Sequence, residues 1–448
     1  MTRLQLFRSL WGIHRRDGGV CVCVREIGTV ASHAISRVPA AASIESENGK
    51  REALIECSLE LARPLSLPLN LFLNKQKKRG GEKTPGKLSL EQIAKKAAEQ
   101  GYAGIECSVR LAAELDESDE IPPTSTSSSS SPSTSKTAPA PVAGAGRGLF
   151  ASTLKRHGLS WTPVVLSSGP VWRGFDPFVD LIDRKTPRAP SSGAAGAATP
   201  EQHAAALAGQ LDAALALCPA ADLDALFLSS HADEAAPRGE AVALVGSDAM
   251  GTPDAMRTVR ACSREAEERG FSLCFETHRG RVFGSPWDAL DLLREMAAAS
   301  AGPGGPPLPS LCLDASHWTV ACEALPGERP ELDLAVERVA ARLATRLHLR
   351  VGDCQGAQVA VPWSREDAAA REGFERWWRA AAAAAVARGA PALSATPEFG
   401  PSPYQRAPLP SGEERDVRTM PSVEELDDWA AETMRRIFEE EVAGGTGS

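Results

Sequence analysis

No two of the ten cysteines in this 448-residue chain form a CxxC pair, and several sit within apolar runs. They read as buried free thiols in a reduced, intracellular compartment, either cytoplasmic or organellar. The chain has no run of about 18 apolar residues, which excludes a membrane-spanning helix. It also lacks a basic surplus: Lys and Arg number 49 against 58 Asp and Glu, a net charge of −9. A general nucleic-acid binder would usually carry that surplus on one domain. No GxGxxG follows the first strand-like run, which weakens a dinucleotide-binding open sheet. What is present is 43% hydrophobic and 24% charged residues, enough apolar material for a sizeable core.

Residues 1–60 differ from the rest. Arg3, Arg8, Arg15, Arg16, Arg25 and Arg37 face only Asp17 and Glu26 in the first forty positions. Such an acid-poor, Arg-rich start fits an organelle transit peptide, and equally a poorly ordered extension or a misassigned gene start. Two low-complexity inserts follow. Residues 117–147 carry TSTSSSSSPSTSKTAPAPVAGAG, and residues 184–200 read RKTPRAPSSGAAGAATP. Neither can bury apolar area, so both are expected to be disordered loops. GPGGPP at 302–307 is short enough to be an ordinary connection.

The remainder alternates. Strand-like runs fall at 66–73, 102–107, 160–167, 224–230, 271–276, 311–315, 345–351 and 391–398, with helical patterns between and after them at 89–100, 148–158, 201–218, 253–269, 286–299, 331–343, 366–388 and 422–438. In the first helix, Ser89 is the expected N-cap, Leu90, Ile93, Ala94 and Ala97 share a face, and Gly101 closes the end. In the last, Ser422 and Glu425 form a capping box ahead of Leu426, Trp429, Thr433 and Phe438. Strict alternation implies right-handed crossovers and a parallel sheet, and eight units close a barrel. The predicted fold is therefore α/β, a (β/α)8 TIM barrel over residues 65–440, with the inserts and the N-terminal extension outside it.

Function in such a barrel sits at the C-terminal ends of the strands. From the fifth strand onward those ends supply Glu276, Asp314, His348 and Glu398. Three carboxylates and one imidazole converging there would repel unless a cation neutralised them. The oxygen-rich set suits one Mn²⁺, Mg²⁺ or Co²⁺, with Zn²⁺ an alternative. Taken singly, an acid at a strand end is more often a helix N-cap or a salt-bridge partner.

The words around these residues are more specific. CFETHRGRVF at 274–283, LDASHW at 313–318, HLRVGDCQGAQV at 348–359 and TPEFGPSPY at 396–404 together resemble the sugar phosphate isomerase/epimerase family, with its xylose isomerase-like barrel. LSLEQIAKKAAEQGYAGIE at 88–106 is similar to that family's first helix and second strand. The resemblance covers the barrel and neither the extension nor the Ser-rich insert. It implies that Glu276, Asp314, His348 and Glu398 bind one divalent metal, that Glu276 and Glu398 exchange the substrate proton, and that His317 touches substrate oxygens. It further implies a metal-dependent isomerase or epimerase acting on a sugar, a sugar phosphate or a polyol-derived ketone. A cation between a carbonyl and its neighbouring hydroxyl acidifies the C–H between them, and one positioned acid can remove that proton while another returns it.

Further candidates for substrate contact are Arg350, on the same side of its strand as His348, together with His278, Arg279, His231 and Glu106. Arg281 is a weaker one. Each has an ordinary alternative as a solvated charge, a cap or an ion-pair partner. Trp318 and Trp363 can wall a sugar pocket but are more often core or rim. The expected partner is a small carbohydrate, without nucleic acid or membrane, and a homo-oligomer is compatible with the sequence. Two other classes stand beside this one: a metal-dependent hydrolase or lyase on the same barrel, and a non-catalytic, metal-stabilised binding protein.

Overall fold

The computed structural model describes residues 13–16, 19–22, 66–68, 89–117, 148–167, 198–218, 222, 226–227, 237, 239–302, 305–390, 392–400, 404–405 and 420–445. The chain divides into two units, Met1–Leu54 and Ile55–Ser448. Within the first, the described part is an antiparallel pair, β1 (Ile13–Arg16) against β2 (Gly19–Val22). The rest of the extension lies outside the described residues, as do 118–147 and 168–197, which hold nearly all of the two low-complexity inserts.

The second unit is a parallel eight-stranded sheet of β3 (Ser66–Pro68), β4 (Gly104–Ser108), β5 (Ser160–Ser167), β6 (Gly239–Val245), β7 (Phe271–Glu276), β8 (Ser310–Leu313), β9 (Ala344–Leu349) and β10 (Ser394–Pro397), laid out in sequence order. The outer strands β3 and β10 lie beside each other, so the sheet curls round into a (β/α)8 barrel. Helices α1 (Leu90–Glu99), α2 (Val109–Glu117), α3 (Leu149–Arg156), α4 (Pro200–Ala216), α5 (Thr252–Glu268), α6 (Pro286–Ala299), α7 (Ala315–Cys322), α8 (Pro330–Ala335), α9 (Ala368–Ala387) and α10 (Val423–Gly445) connect and follow the strands.

Local chemistry sets the helix ends. Ser89 caps α1 in a reciprocal box with Gln92, Leu90, Ile93, Ala94 and Ala97 are buried, and Gly101 takes φ 76° to end the helix. The Ser422–Glu425 box forms as well, with the Ser422 N–H donating to Glu425 Oε2 at 2.7 Å. Residue 117 and residues 199–200, counted above with the inserts, belong to helix ends: Glu117 ends α2, and Thr199 caps α4 with Pro200 as its first residue.

Three differences from the sequence expectation stand out. The fourth barrel strand is Gly239–Val245 rather than 224–230. All seven of its residues are buried, as a strand covered on both faces requires. Of the expected strand, Phe227 makes only an isolated bridge to Trp161, and its Cβ stands 2.4 Å from where a Cβ on residue 239 would be, so glycine is required there. Alternation is not strict. Helix α2 follows β4 at once, its Leu111 N–H donating to Ser108 Oγ, and α7 follows β8 with Asp314 as its cap. The helix expected over 331–343 passes through a π turn at Val336–Ala340 before its last residues 341–343.

Candidate metal centre

The barrel interior is unusually polar for an α/β barrel, whose layers are usually filled by branched apolar residues. Along β9 and one residue past its end, residues at period two face inward, and these are Arg346, His348 and Arg350, all buried. They thread two stacked layers of charge.

The lower layer is closed. Arg346 donates from Nε to Glu240 Oε2 at 3.1 Å and from Nη1 to Glu106 Oε2 at 3.1 Å. It also donates from Nη1 to Thr396 Oγ1 at 3.1 Å and from Nη2 to Thr162 Oγ1 at 3.0 Å. Thr345 and Thr396 hydroxyls fill the remaining acceptor positions on Glu240 and Glu106. Burial alone would raise the Glu106 carboxyl, but His348, Arg346 and Thr396 beside it bring it down to about 2. Glu106, proposed from sequence for substrate contact, thus has both oxygens engaged beneath the site. Its Oε1 lies 2.9 Å from His348 Nε2, which fixes that nitrogen as the donor and leaves Nδ1 facing Glu276 and Glu398.

The upper layer holds the expected quartet. Glu276 ends β7, Asp314 follows β8, His348 lies in β9 and Glu398 follows β10. One ligand atom from each lies within 4.8 Å of the others. His348 Nδ1 stands 3.1 Å from Glu398 Oε2 and 3.8 Å from Glu276 Oε1. Both His348 Nδ1 and Glu398 Oε2 are buried without a hydrogen-bond partner. Two lone-pair atoms facing each other at this separation require a proton or a cation between them. Three carboxylates and one imidazole, two of whose facing atoms are buried without a hydrogen bond, are a donor set that fits one hard divalent cation.

Asp314 is held in place from three sides. Its Oδ1 accepts from the Ser316 N–H at 2.9 Å and from the Ser316 hydroxyl, its N–H donates to Thr277 Oγ1 at 2.8 Å, and its Oδ2 accepts from Arg350 Nη2. Burial opposes its ionisation, yet Arg350 and then His317 and His348 keep it well below the usual carboxylate range. Burial instead lifts Glu398 above that range, with Arg350 and His348 pulling against it. Burial would lower His348, but Cys312 and the carboxylates of Glu106, Glu398 and Glu276 outweigh it and hold the imidazole well above its ordinary value.

Arg350 therefore has the protein's own acids as its partners. It reaches Asp314 and Glu398, the latter at 3.3 Å, and its guanidinium lies 5.5 Å from the Tyr404 ring centre. His317 is buried in the first turn of α7, with Nε2 at 3.2 Å from Arg350 Nη2. His278 is half-buried against it, ring centres 3.8 Å apart, while Arg279 is exposed and Arg281 half-buried. The burial of Arg281 is only partly offset by attraction to Glu276 and Asp248. His231 lies outside the described residues. Trp318 belongs to the core, its indole N–H donating to Phe283 O at 2.9 Å, and the exposed Trp363 packs on Trp429.

Three residues absent from the sequence candidates matter here. Arg346 and Glu240 build the floor, and the period-two reading that placed Arg350 also places Arg346. Asp427 of α10 is buried behind Glu398 and accepts from the Phe399 N–H at 3.1 Å. Its burial pushes its carboxyl well above the usual range. A lone acid in a helix with acidic neighbours gives no signal of this.

No protein-family model matches the sequence, and none of the curated proteins matches it. Among solved structures the chain is similar to L-ribulose 3-epimerase at 13% identity and TM-score 0.43, covering 85% of this chain and 96% of that one. It is similar to D-psicose 3-epimerase at 12% and 0.40, covering 84% and 99%. A third is a xylose isomerase-like TIM barrel protein from Mycobacterium smegmatis in complex with magnesium, at 12% and 0.41, covering 85% and 97%. Among the described residues no helix is long and apolar enough to cross a membrane.

Proposed function

We propose that the chain is a divalent-metal-dependent isomerase or epimerase that moves a proton next to the carbonyl of a sugar, sugar phosphate or polyol-derived ketone. The observation that carries this reading is the quartet of Glu276, Asp314, His348 and Glu398, with His348 Nδ1 and Glu398 Oε2 buried without a hydrogen bond. These four side chains would hold the cation, which when bound polarises a carbonyl oxygen and acidifies the adjacent C–H. Mn²⁺, Mg²⁺ and Co²⁺ suit the donor set best, with Zn²⁺ as the alternative.

The chain's own residues divide the remaining work. No hydrogen bond to the Glu276 carboxylate is found among the described residues, so it is free to accept a proton from carbon. Glu398, raised by burial, is the better holder of a proton to return. Asp314 is fixed by Ser316, Thr277 and Arg350 and serves to hold rather than to transfer. Arg279, Arg281 and His278 follow Glu276 and are the groups nearest in sequence to meet substrate oxygens or an anionic group on the substrate.

The test is incubation of the metal-loaded protein with a panel of ketoses, aldoses and inosose-like polyols in D₂O. Solvent deuterium at the epimerised or isomerised carbon is the expected result. Turnover without deuterium at carbon would point to metal-assisted hydrolysis or elimination on the same barrel. Metal binding without any turnover would point to a binding protein.

A further inference from the structure

The turn that follows β7 is fixed at both edges. The Arg281 N–H donates to the His278 carbonyl at 3.1 Å, with Gly280 at φ 76° between them. The Val282 N–H donates to the Val245 carbonyl at 3.2 Å, and the Phe283 carbonyl accepts from the Trp318 indole at 2.9 Å. A Cβ on Gly284 would stand 2.9 Å from the Arg281 carbonyl and 3.1 Å from Asp248 Cβ. Arg281 therefore leaves the backbone at a set point between the ends of β6 and β7, close to Asp248. Its side chain is half-buried, yet among the described residues it makes no hydrogen bond and no ion pair.

The groups around it do not answer its charge. Asp248 is exposed to water and accepts from the Ser247 hydroxyl at 3.2 Å, and Glu276 belongs to the quartet. His203 lies 2.7 Å from Ser167 Oγ, and burial keeps its imidazole below its ordinary value, with Arg281 adding to that. The other arginines of the mouth differ. Arg279 is solvated, and Arg350 is raised despite its burial because Asp314 and Glu398 stand against it. Burial instead lowers Arg281, and Glu276 and Asp248 offset this only in part. A half-buried guanidinium without an acceptor has lost hydration for no return, and its planar fork of donors matches a phosphate or a carboxylate. We propose that Arg281 binds an anionic group of the substrate, a phosphate or a carboxylate, on the β6–β7 side of the barrel mouth. This rests on the reading of the mouth as a substrate site and narrows the substrate to a sugar or ketone that carries such a group.

The test is anion binding by the full chain, held in chelator so that no metal competes for the anion. Thermal unfolding is followed with inorganic phosphate and, separately, with acetate, at ionic strength matched by chloride. The wild type should melt higher with at least one of them, the stronger response telling phosphate from carboxylate, and Arg281→Gln should lose that gain. Arg281→Lys, with the charge but not the fork, should keep part of it. In chloride alone Arg281→Gln should melt as high as the wild type, because the charge it removes has no partner to lose. No gain in the wild type with either anion, an equal gain in Arg281→Gln, or a lower melting point of Arg281→Gln in chloride alone overturns the proposal. In the metal-loaded chain Arg281→Gln should raise KM for an anionic substrate by ~10–100-fold with little change in kcat. If nothing turns over while the anion gain depends on Arg281, the anion site stands and the reaction proposed above fails.

Discussion

Each of the two charged layers inside the barrel sets an arginine of one strand among carboxylates, and they differ in how completely those groups are paired. In the lower layer every nitrogen of Arg346 and every oxygen of Glu106 and Glu240 has a partner. In the upper layer His348 Nδ1 and Glu398 Oε2 are buried without a hydrogen bond, and only the Arg350 guanidinium at 3.3 Å stands near the latter as a counter-charge. A closed network of buried charge sets structure, whereas one left open can take a ligand or a proton. The difference fits a structural role for the lower layer and the proposed chemical role for the upper one.

The largest effect expected from this contrast is at Arg346. Arg346→Met leaves Glu106 and Glu240 buried without their cation and should destabilise the fold by about 3–5 kcal/mol, read from urea or thermal unfolding. A loss near zero would mean that the lower layer is not a structural element. At the upper layer the effects should separate the other way. Glu276→Gln and Glu398→Gln should lose turnover by ~10²–10⁴-fold while melting close to the wild type. Normal turnover in both variants would rule out the proton-transfer roles.

Glu106 belongs to both layers and sharpens the comparison. Glu106→Gln keeps the size but weakens the hold on His348, and should lower metal affinity by ~10–100-fold as well as stability. Isothermal titration with Mn²⁺ measures the first effect. Acid titration gives a smaller signal. The Glu106 carboxyl is depressed from 4.5 to about 2, so its contribution is complete above its unfolded value and is lost as pH falls through the folded one. The wild type should therefore weaken between about pH 5 and pH 2 more steeply than Glu106→Gln in urea unfolding at each pH.

Much of this was legible in the sequence. Alternation placed seven of the eight strands because their apolar runs are bounded by helix caps and glycines that act locally. The fourth strand was misplaced because LFLSS and AVALV are equally strand-like. What separates them is the packing of Phe227 on Gly239 and Trp161, which is a tertiary contact. The quartet was legible because strand ends in a parallel barrel point one way. Its support was not: Glu106 bracing His348 and Asp427 behind Glu398 join residues hundreds or tens of positions apart, and no spacing rule records them.

The central claim is that the upper layer is a divalent-cation site. Thermal unfolding of the chelator-stripped chain, with and without Mn²⁺, tests it most directly, with Asp314→Asn alongside. Binding to the folded state at about 100 times the dissociation constant adds about 2.7 kcal/mol, so the wild type should melt higher with Mn²⁺ and Asp314→Asn should not. Identical melting of the wild type with and without Mn²⁺, or an equal gain in Asp314→Asn, would contradict the claim.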